Sequence, residues 1–221
     1  MDKVRILITG FGPFPGAPYN PTERLVARLG QLRRPALADV AVSRHIFHVS
    51  YGAVDRDLPA LLAHNKPDAL LMFGLAQRTP YIRIETRARN AVTTLWPDAD
   101  HGRGEAARIT RHTATDRHFG PHTQRLLRAA LQTGVWARPS RDAGRYLCNY
   151  LSWKAIEATA MPNGPRLAAF VHIPLIPRDA TGRRRSQIRQ VAFEELVDAG
   201  EAMLVTLATL TRQRLRATAA G

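Results

Sequence analysis

Short apolar runs alternate with helix-like segments along most of the chain, and no other feature restricts its fold as strongly. Residues 4–9 form a short apolar run rich in β-branched residues, and 69–73 is continuously apolar, which is typical of a strand buried on both faces. A further buried strand is predicted at 167–173. Between the last two of these segments, apolar residues recur with helical spacing at 122–132 and 148–160. We therefore predict an α/β/α sandwich: a mostly parallel twisted sheet with helices on both faces.

No internal repeat and no linker-like change in composition interrupts this pattern. Residues 1–216 are therefore assigned to a single α/β domain, and 217–221 are expected to form a frayed C-terminal tail. The last helix is predicted from about 186 to 212, with a break near Gly200 left open. Because reactive groups collect at the carboxyl ends of parallel strands, the segments that follow the strands are where a site is expected.

The cysteine count excludes two classes of protein. Cys148 is the only cysteine, so the chain has neither an intrachain disulfide framework nor a cysteine-cluster zinc site. The histidines at 101, 112, 118 and 122 have irregular spacing and no metal-binding pattern, so no metal is expected. No stretch approaches the ~18 apolar residues of a membrane span, and the N-terminus lacks the order of a signal peptide. We therefore expect a cytoplasmic protein with no membrane partner.

The net charge of +14 raises the question of a nucleic-acid partner. All but three of the 32 basic residues are arginines, and they are spread along the chain. The densest stretches, 103–128 and 183–185, are not interleaved with aromatic residues as single-strand binding requires. This distribution favours a solvated arginine-rich surface over a nucleic-acid partner. A nucleic-acid-associated protein without enzymatic activity is kept as the alternative.

Cys148 is the first candidate for chemistry. A lone cysteine in a cytoplasmic protein is usually an inert small apolar residue. Here it opens a predicted helix, where the positive end of the helix dipole stabilises a thiolate. Unpaired N–H groups at the same helix end suit an oxyanion.

His172 and Glu85 are candidate partners of this thiol. His172 falls at the carboxyl end of a predicted strand, where an imidazole could take the thiol proton and later protonate a leaving amine. Glu85 could orient that imidazole, as the acid of a triad does. The alternatives are a core histidine satisfied by a backbone carbonyl, and a surface ion pair of Glu85 with Arg83, Arg87 or Arg89.

The glycine-rich loop at 10–16 does not have the spacing of a dinucleotide-binding fingerprint, and Pro13 removes an N–H group that could face a phosphate. Phe11 and Phe14 are its more informative residues, since core packing does not obviously require aromatic side chains in a loop. They either cover the core or wall an apolar pocket.

Four segments together resemble motifs of the bacterial cysteine-type pyroglutamyl peptidases: 6–16 followed by Asn20-Pro21, 74–90, 144–149 and 170–174. Each motif is short, but their order and spacing match that family over nearly the whole chain.

The resemblance implies a hydrolytic domain that removes an N-terminal pyroglutamyl residue from peptide substrates through a thioester acyl-enzyme. Cys148 would be the nucleophile, His172 the general base and acid, and Glu85 the orienting carboxylate. Three residues would hold the pyrrolidone ring: Phe11, Phe14 and Leu147. The resemblance implies an α/β/α sandwich, often in a homo-oligomer, no metal or organic cofactor, and a reducing environment.

Three departures from the family pattern concern substrate binding. Leu75 stands where a glutamine is usual, and Thr86 stands where an arginine usually follows the glutamate. Residues 77–79 are Gln-Arg-Thr where Gly-Gly-Arg is usual. A related acyl hydrolase with altered specificity is therefore a second alternative.

Overall fold

The computed structural model describes residues 3–14, 16–104, 106–111, 115–176 and 191–219. Strands and helices alternate in the described part as expected from the sequence. In chain order they are β1 (Val4–Phe11), α1 (Pro21–Leu29), β2 (Val40–Phe47), α2 (Tyr51–Asn65), β3 (Ala69–Ala76), β4 (Ile82–Glu85), β5 (Arg87–Ala88), β6 (Arg117–His118), α3 (His122–Gln132), β7 (Ala137–Ser140), α4 (Leu147–Thr159), β8 (Leu167–Pro174) and α5 (Phe193–Ala219).

Within the described residues, the main sheet has six strands in the order β2-β1-β3-β8-β4-β7. Four of its strand pairs are parallel, which confirms the predicted mostly parallel sheet, whereas β4 runs antiparallel to β8. The reversal follows from the short connection between β3 and β4, residues 77–81. A parallel strand needs a crossover of about a dozen residues, so this connection returns the chain in the opposite direction.

Helices cover both faces of the sheet, as an α/β/α sandwich requires. On one face α1, α3 and α5 pack on one set of strand residues, with buried Leu25, Leu126 and Leu204 as examples. On the other face α2 and α4 pack on the alternate set, where Leu58 and Trp153 are buried. The sheet is thus covered on both faces, which explains the continuous apolar run at the start of β3.

The start of α1 is fixed to the end of β1 by two polar side chains. Asn20 is the N-cap, and its side chain accepts a hydrogen bond from the Thr22 N–H while donating to the Gly12 carbonyl. The Thr22 hydroxyl accepts from the Phe11 N–H at 3.0 Å. These hydrogen bonds fix the start of α1 and the position at which the glycine-rich loop leaves the sheet.

The long final helix continues through Gly200 without a break, so a break at that position is wrong. A Cβ on Gly200 would lie 2.9 Å from Cδ1 of Leu29, and the glycine therefore permits close packing of α5 on α1. The predicted start at 186 and the arginine run at 183–185 lie outside the described residues. Residues 217–219 of the predicted frayed tail belong to α5, and 220–221 lie outside the described residues. Fraying of the tail stays a prediction.

Arginines in the described part of the chain often pair with carboxylates. Arg34 donates to Glu201 at 2.7 Å, and Arg212 pairs with Asp39. No helix among the described residues is both long enough and apolar enough to cross a bilayer.

Candidate active site

The carboxyl ends of β3 and β8 meet at the candidate site. These strands are parallel neighbours, and Gly74 lies opposite His172 in their register. Phe170 and His172 share one face of β8, the face covered by α2 and α4, and their rings are 5.0 Å apart. His172 is 5% exposed, so its imidazole is surrounded by protein groups rather than bulk water.

Glu85 reaches His172 from the neighbouring strand. In the antiparallel pair of β4 and β8, Arg83 lies opposite His172, and Glu85 is a diagonal neighbour on the same face. Glu85 Oε1 is 2.8 Å from Nδ1 of His172, and the Glu85 side chain is completely buried. The carboxylate thereby holds Nδ1 as the protonated ring nitrogen and leaves Nε2 to face another group.

Arg83 is the second partner of this buried carboxylate. Its guanidinium lies 3.0 Å from Oε1 of Glu85, donates to the Ser140 hydroxyl at 2.7 Å and also donates to the Asp142 carbonyl. Glu85 therefore contacts both His172 and Arg83, and its ion pair is buried, whereas the alternative from sequence placed that ion pair at the surface. Sequence reasoning treated Arg83 only as a surface partner; its spacing of two residues from Glu85 on a strand was the available signal.

The Cys148 thiol occupies the space that Gly74 leaves open. Cys148 is in the first turn of α4, which begins at Leu147. A Cβ on Gly74 would lie 2.8 Å from Sγ of Cys148 and 2.7 Å from Cζ of Phe170. The thiol is close enough to His172 to be among the groups that raise the pKa of the imidazole. The structure thus brings together the three residues proposed from sequence, in the order Glu85, His172, Cys148.

The charge on His172 is favoured by its two partners. Burial on its own lowers the pKa of the imidazole, whereas Cys148 and then Glu85 raise it through charge and hydrogen bonding. The raising causes prevail, and the pKa of His172 is about 9. At neutral pH the imidazole therefore carries a proton that it can donate.

Two features of α4 support the thiol. The N-cap residue Tyr146 makes no side-chain capping hydrogen bond, so the first N–H groups of the helix are not satisfied in that way. Asn149, completely buried, accepts from the Arg89 N–H at 2.8 Å and donates to the Arg89 and Ala91 carbonyls. Sequence reasoning included Asn149 in a motif but gave it no role; its contacts tie the strand after Glu85 to the helix of Cys148.

A cavity of about 720 Å³ lies beside this group of residues. Phe14 from the glycine-rich loop and Tyr146, two residues before Cys148, are among the residues that line it. Cys148 and His172 are not among the residues that line this cavity. Phe11 and Leu147 are 3% and 1% exposed and pack in the apolar cluster behind it, so their contact with a ligand stays a prediction.

One wall of the cavity comes from residues 92–98. The Thr93 N–H donates to the Arg145 carbonyl at 2.7 Å, and the Tyr146 hydroxyl donates to the Pro97 carbonyl at 3.0 Å. Asp98 anchors the far end by accepting from the Gly102 N–H at 2.7 Å. Trp96 is 67% exposed at the rim. No periodicity in the sequence signalled this wall.

Metal binding finds no support in the arrangement of ligands. Within the described residues, which leave out His112, no three histidine, cysteine, aspartate or glutamate side chains converge as metal ligands would.

Comparison with known proteins supplies sequence relatives. Residues 4–210 match the family model described as pyroglutamyl peptidase. The pyrrolidone-carboxylate peptidase of Pyrococcus furiosus is 30% identical over 174 residues, which cover 79% of this chain and 82% of the relative. That of Thermococcus onnurineus is 28% identical over 204 residues, covering 92% of this chain and 98% of the relative.

Solved structures give the same match in three dimensions. The pyrrolidone carboxyl peptidase of Fervidobacterium islandicum AW-1 has a TM-score of 0.83 at 26% identity, with 93% of this chain and 98% of that chain covered. A mutant of the Pyrococcus furiosus enzyme has a TM-score of 0.81 at 28% identity, with 93% and 99% covered.

Proposed function

This chain belongs to the pyroglutamyl peptidase family, and on that premise we propose that it is a cysteine exopeptidase that removes an N-terminal pyroglutamyl residue from peptides. The observation that carries the proposal is the grouping of three side chains next to a largely apolar cavity: Glu85 is hydrogen-bonded to His172, and the Cys148 sulfur lies against Gly74, the residue opposite His172.

In the first half of the reaction, the proton of the Cys148 thiol resides on His172, and the sulfur attacks the carbonyl carbon of the pyroglutamyl residue. The C–S bond forms, and the carbonyl oxygen takes the negative charge. His172 then donates its proton to the amine nitrogen as the C–N bond breaks. The shortened peptide leaves, and the pyroglutamyl group remains on Cys148 as a thioester.

In the second half, water replaces the peptide amine. His172 takes a proton from the water as its oxygen bonds to the thioester carbon, and the C–S bond then breaks. The sulfur recovers a proton from His172, and free pyroglutamate leaves. In both halves of the reaction, Glu85 orients the imidazole and stabilises its charged form.

The start of α4 suits the oxyanion of both steps. The first N–H groups of this helix have no side-chain cap, and the helix dipole favours negative charge there. We assign stabilisation of the oxyanion to backbone N–H groups at or next to Cys148.

The cavity suits the acyl group chemically. A pyroglutamyl residue has no charged amine, and its ring is small and nearly planar, so apolar walls with a few polar groups can hold it. Phe14 and Tyr146 are the aromatic walls we assign to the ring. Phe11 and Leu147 support them from the buried cluster behind and are kept as predicted binding residues.

The proposed chemistry uses protein side chains and water, and it needs a reduced thiol. We therefore propose a cytoplasmic location, since thiols are kept reduced there. Association of the chain into a homo-oligomer is a further proposal, with the resemblance to the family as its support.

Hydrolysis of a pyroglutamyl aminomethylcoumarin amide by the purified protein tests the function. We expect turnover by the wild-type chain and its loss in Cys148→Ala, with Cys148→Ser as the isosteric control. Because Cys148 is the only cysteine, inactivation by iodoacetamide reports on this thiol alone. Absence of turnover in the wild type, or turnover that survives Cys148→Ala, overturns the proposal. Turnover of other acyl amides instead supports the altered-specificity alternative.

A further inference from the structure

Gln77 places a carboxamide in the cavity beside Cys148. It follows the last residue of β3, Ala76, and its side chain lines the cavity. Gly74, whose Cα lies against the Cys148 sulfur, is three residues earlier on the same strand. Three residues span at most about 10 Å, which bounds the distance between the Cα atoms of Gly74 and Gln77.

The orientation of this carboxamide is fixed by the loop opposite. Nε2 of Gln77 donates to the Gly16 carbonyl at 2.9 Å. Because a carbonyl oxygen only accepts, Nε2 rather than Oε1 must face Gly16. One N–H of Gln77 is thereby used, while its second N–H and Oε1 make no hydrogen bond with the described residues.

The Gly16 loop is closed by backbone hydrogen bonds. Phe14 and Ala17 exchange two of them, of 3.1 and 2.8 Å, and Gly16 has φ +94°, a backbone angle that favours glycine. The hydrogen bond to Gly16 restricts the Gln77 side chain, which reduces the conformational entropy that it would lose when it binds a ligand.

Three other polar side chains that line the cavity already have hydrogen-bond partners. The Tyr146 hydroxyl donates to the Pro97 carbonyl, and the Thr93 hydroxyl accepts from the Leu95 N–H. The Asp98 carboxylate accepts from backbone N–H groups. Gln77 is thus a polar side chain of this cavity that still offers a donor and an acceptor side by side.

A five-membered lactam presents the matching pair. Its amide bond is cis, so its N–H and its C=O point to the same side and can pair with a carboxamide through two hydrogen bonds. We propose that Gln77 is the residue that recognises the lactam: its second N–H donates to the lactam oxygen, and its Oε1 accepts from the lactam N–H. The inference rests on the proposed function and identifies the group within the acyl residue that is selected.

The test compares two substrates that differ only in the lactam. One is the pyroglutamyl aminomethylcoumarin amide, and the other is the cyclopentanecarbonyl amide, whose ring has similar size but neither N–H nor C=O. Gln77→Met keeps the volume and removes both hydrogen-bonding groups, and Gln77→Ala is the second variant. Arg78→Ala, an exposed neighbour that does not line the cavity, is the matched control.

We expect both Gln77 variants to lower kcat/KM for the pyroglutamyl amide about 10- to 100-fold, the scale of two lost hydrogen bonds, and to leave the cyclopentanecarbonyl amide within about twofold. Arg78→Ala should change neither value. An equal loss on both substrates, or no loss on either, overturns the assignment.

A binding experiment separates this inference from the proposed function. In the Cys148→Ala background, titration calorimetry with a pyroglutamyl dipeptide measures affinity without turnover. We expect Gln77→Met to weaken that affinity by the same factor. Gln77-dependent binding in a chain whose wild type shows no turnover would overturn the peptidase but keep the lactam assignment. Binding that is independent of Gln77 overturns the lactam assignment itself.

Discussion

Replacing Gly74 by alanine would put a methyl group into the space between two side chains of the site. The added Cβ would lie 2.8 Å from Sγ of Cys148 and 2.7 Å from Cζ of Phe170. Phe170 is fully buried in the core, so it has little room to move. The thiol, at the surface of the core, is the group that we expect to be displaced.

The size of the displacement follows from these distances. Non-bonded heavy atoms are optimally separated by about 3.5–4.0 Å, so relief of the contact needs a movement of roughly 1 Å. A misplacement of that size can cost about 10²-fold in rate. Overpacking of a core costs about 1–3 kcal/mol of folding free energy, so we expect the variant to remain folded.

The assay measures kcat and KM for the pyroglutamyl amide and the free energy of unfolding in urea. Gly52→Ala is the matched control, because a Cβ at this position in α2 meets nothing within 4 Å. It should keep full activity and gain up to about 1 kcal/mol of stability from the better helix propensity of alanine.

A Gly74→Ala protein with wild-type kcat/KM would refute this reasoning. It would mean that the thiol does not need the position between Gly74 and His172, and the arrangement proposed for the nucleophile would then be wrong. A loss of activity accompanied by global unfolding would show instead that Phe170, not the thiol, bears the strain.

Two further predictions concern the groups around the thiol. Burial opposes the charged form of His172 while Cys148 and Glu85 raise its pKa to about 9, so the proton is present below this pH and lost as the pH rises through it. Glu85→Gln removes one of the groups that raise the pKa of His172, so the alkaline limb of the kcat/KM profile should move to lower pH. We also expect kcat to fall about 10²- to 10⁴-fold. An unmoved limb would contradict the pairing of Glu85 with His172. Asn149→Ala leaves the Arg89 N–H and two carbonyls without their partner, which should cost about 3 kcal/mol of unfolding free energy in urea; a change below about 1 kcal/mol would show that these bonds are replaced.

Local signals in the sequence were sufficient for the elements that they define. The helix at 122–132 has the predicted bounds because its apolar spacing is interrupted at both ends by glycine-containing turns. The start of α1 was predictable from Asn20-Pro21 since an N-cap acts through hydrogen bonds to residues within the same turn. Such signals depend on neighbours in the chain and not on the rest of the fold.

The direction of β4 depends on the rest of the fold and could not be predicted in this way. An alternating strand has the same side-chain pattern in either direction, so the sequence at 82–85 does not encode its orientation. The hydrogen bonds of Arg83 to Ser140 and Asp142, and those of Asn149 to Arg89, depend on segments that are distant in sequence. The candidate triad was still found, because strand ends and residue order are visible in one dimension.

The cavity wall at 92–98 also could not be predicted from local sequence. Its position is set by hydrogen bonds to Arg145 and Tyr146, about 50 residues later in the chain, and its own sequence has no period. Sequence patterns identify where a chain lacks regular structure but not what holds such a segment in place.

The register of β4 against β8 affects how the protein reaches its native state. Side chains alternate along a strand, so a slip of one residue against β8 would turn Arg83 and Glu85 into the opposite layer and bring Ile82 and Ile84 to His172. The slipped chain would bury two charges among the apolar residues under α3 and would lack the carboxylate of the site. Correct pairing of this four-residue strand is therefore a condition for both stability and chemistry, and recovery of activity during refolding would report when β4 finds its place.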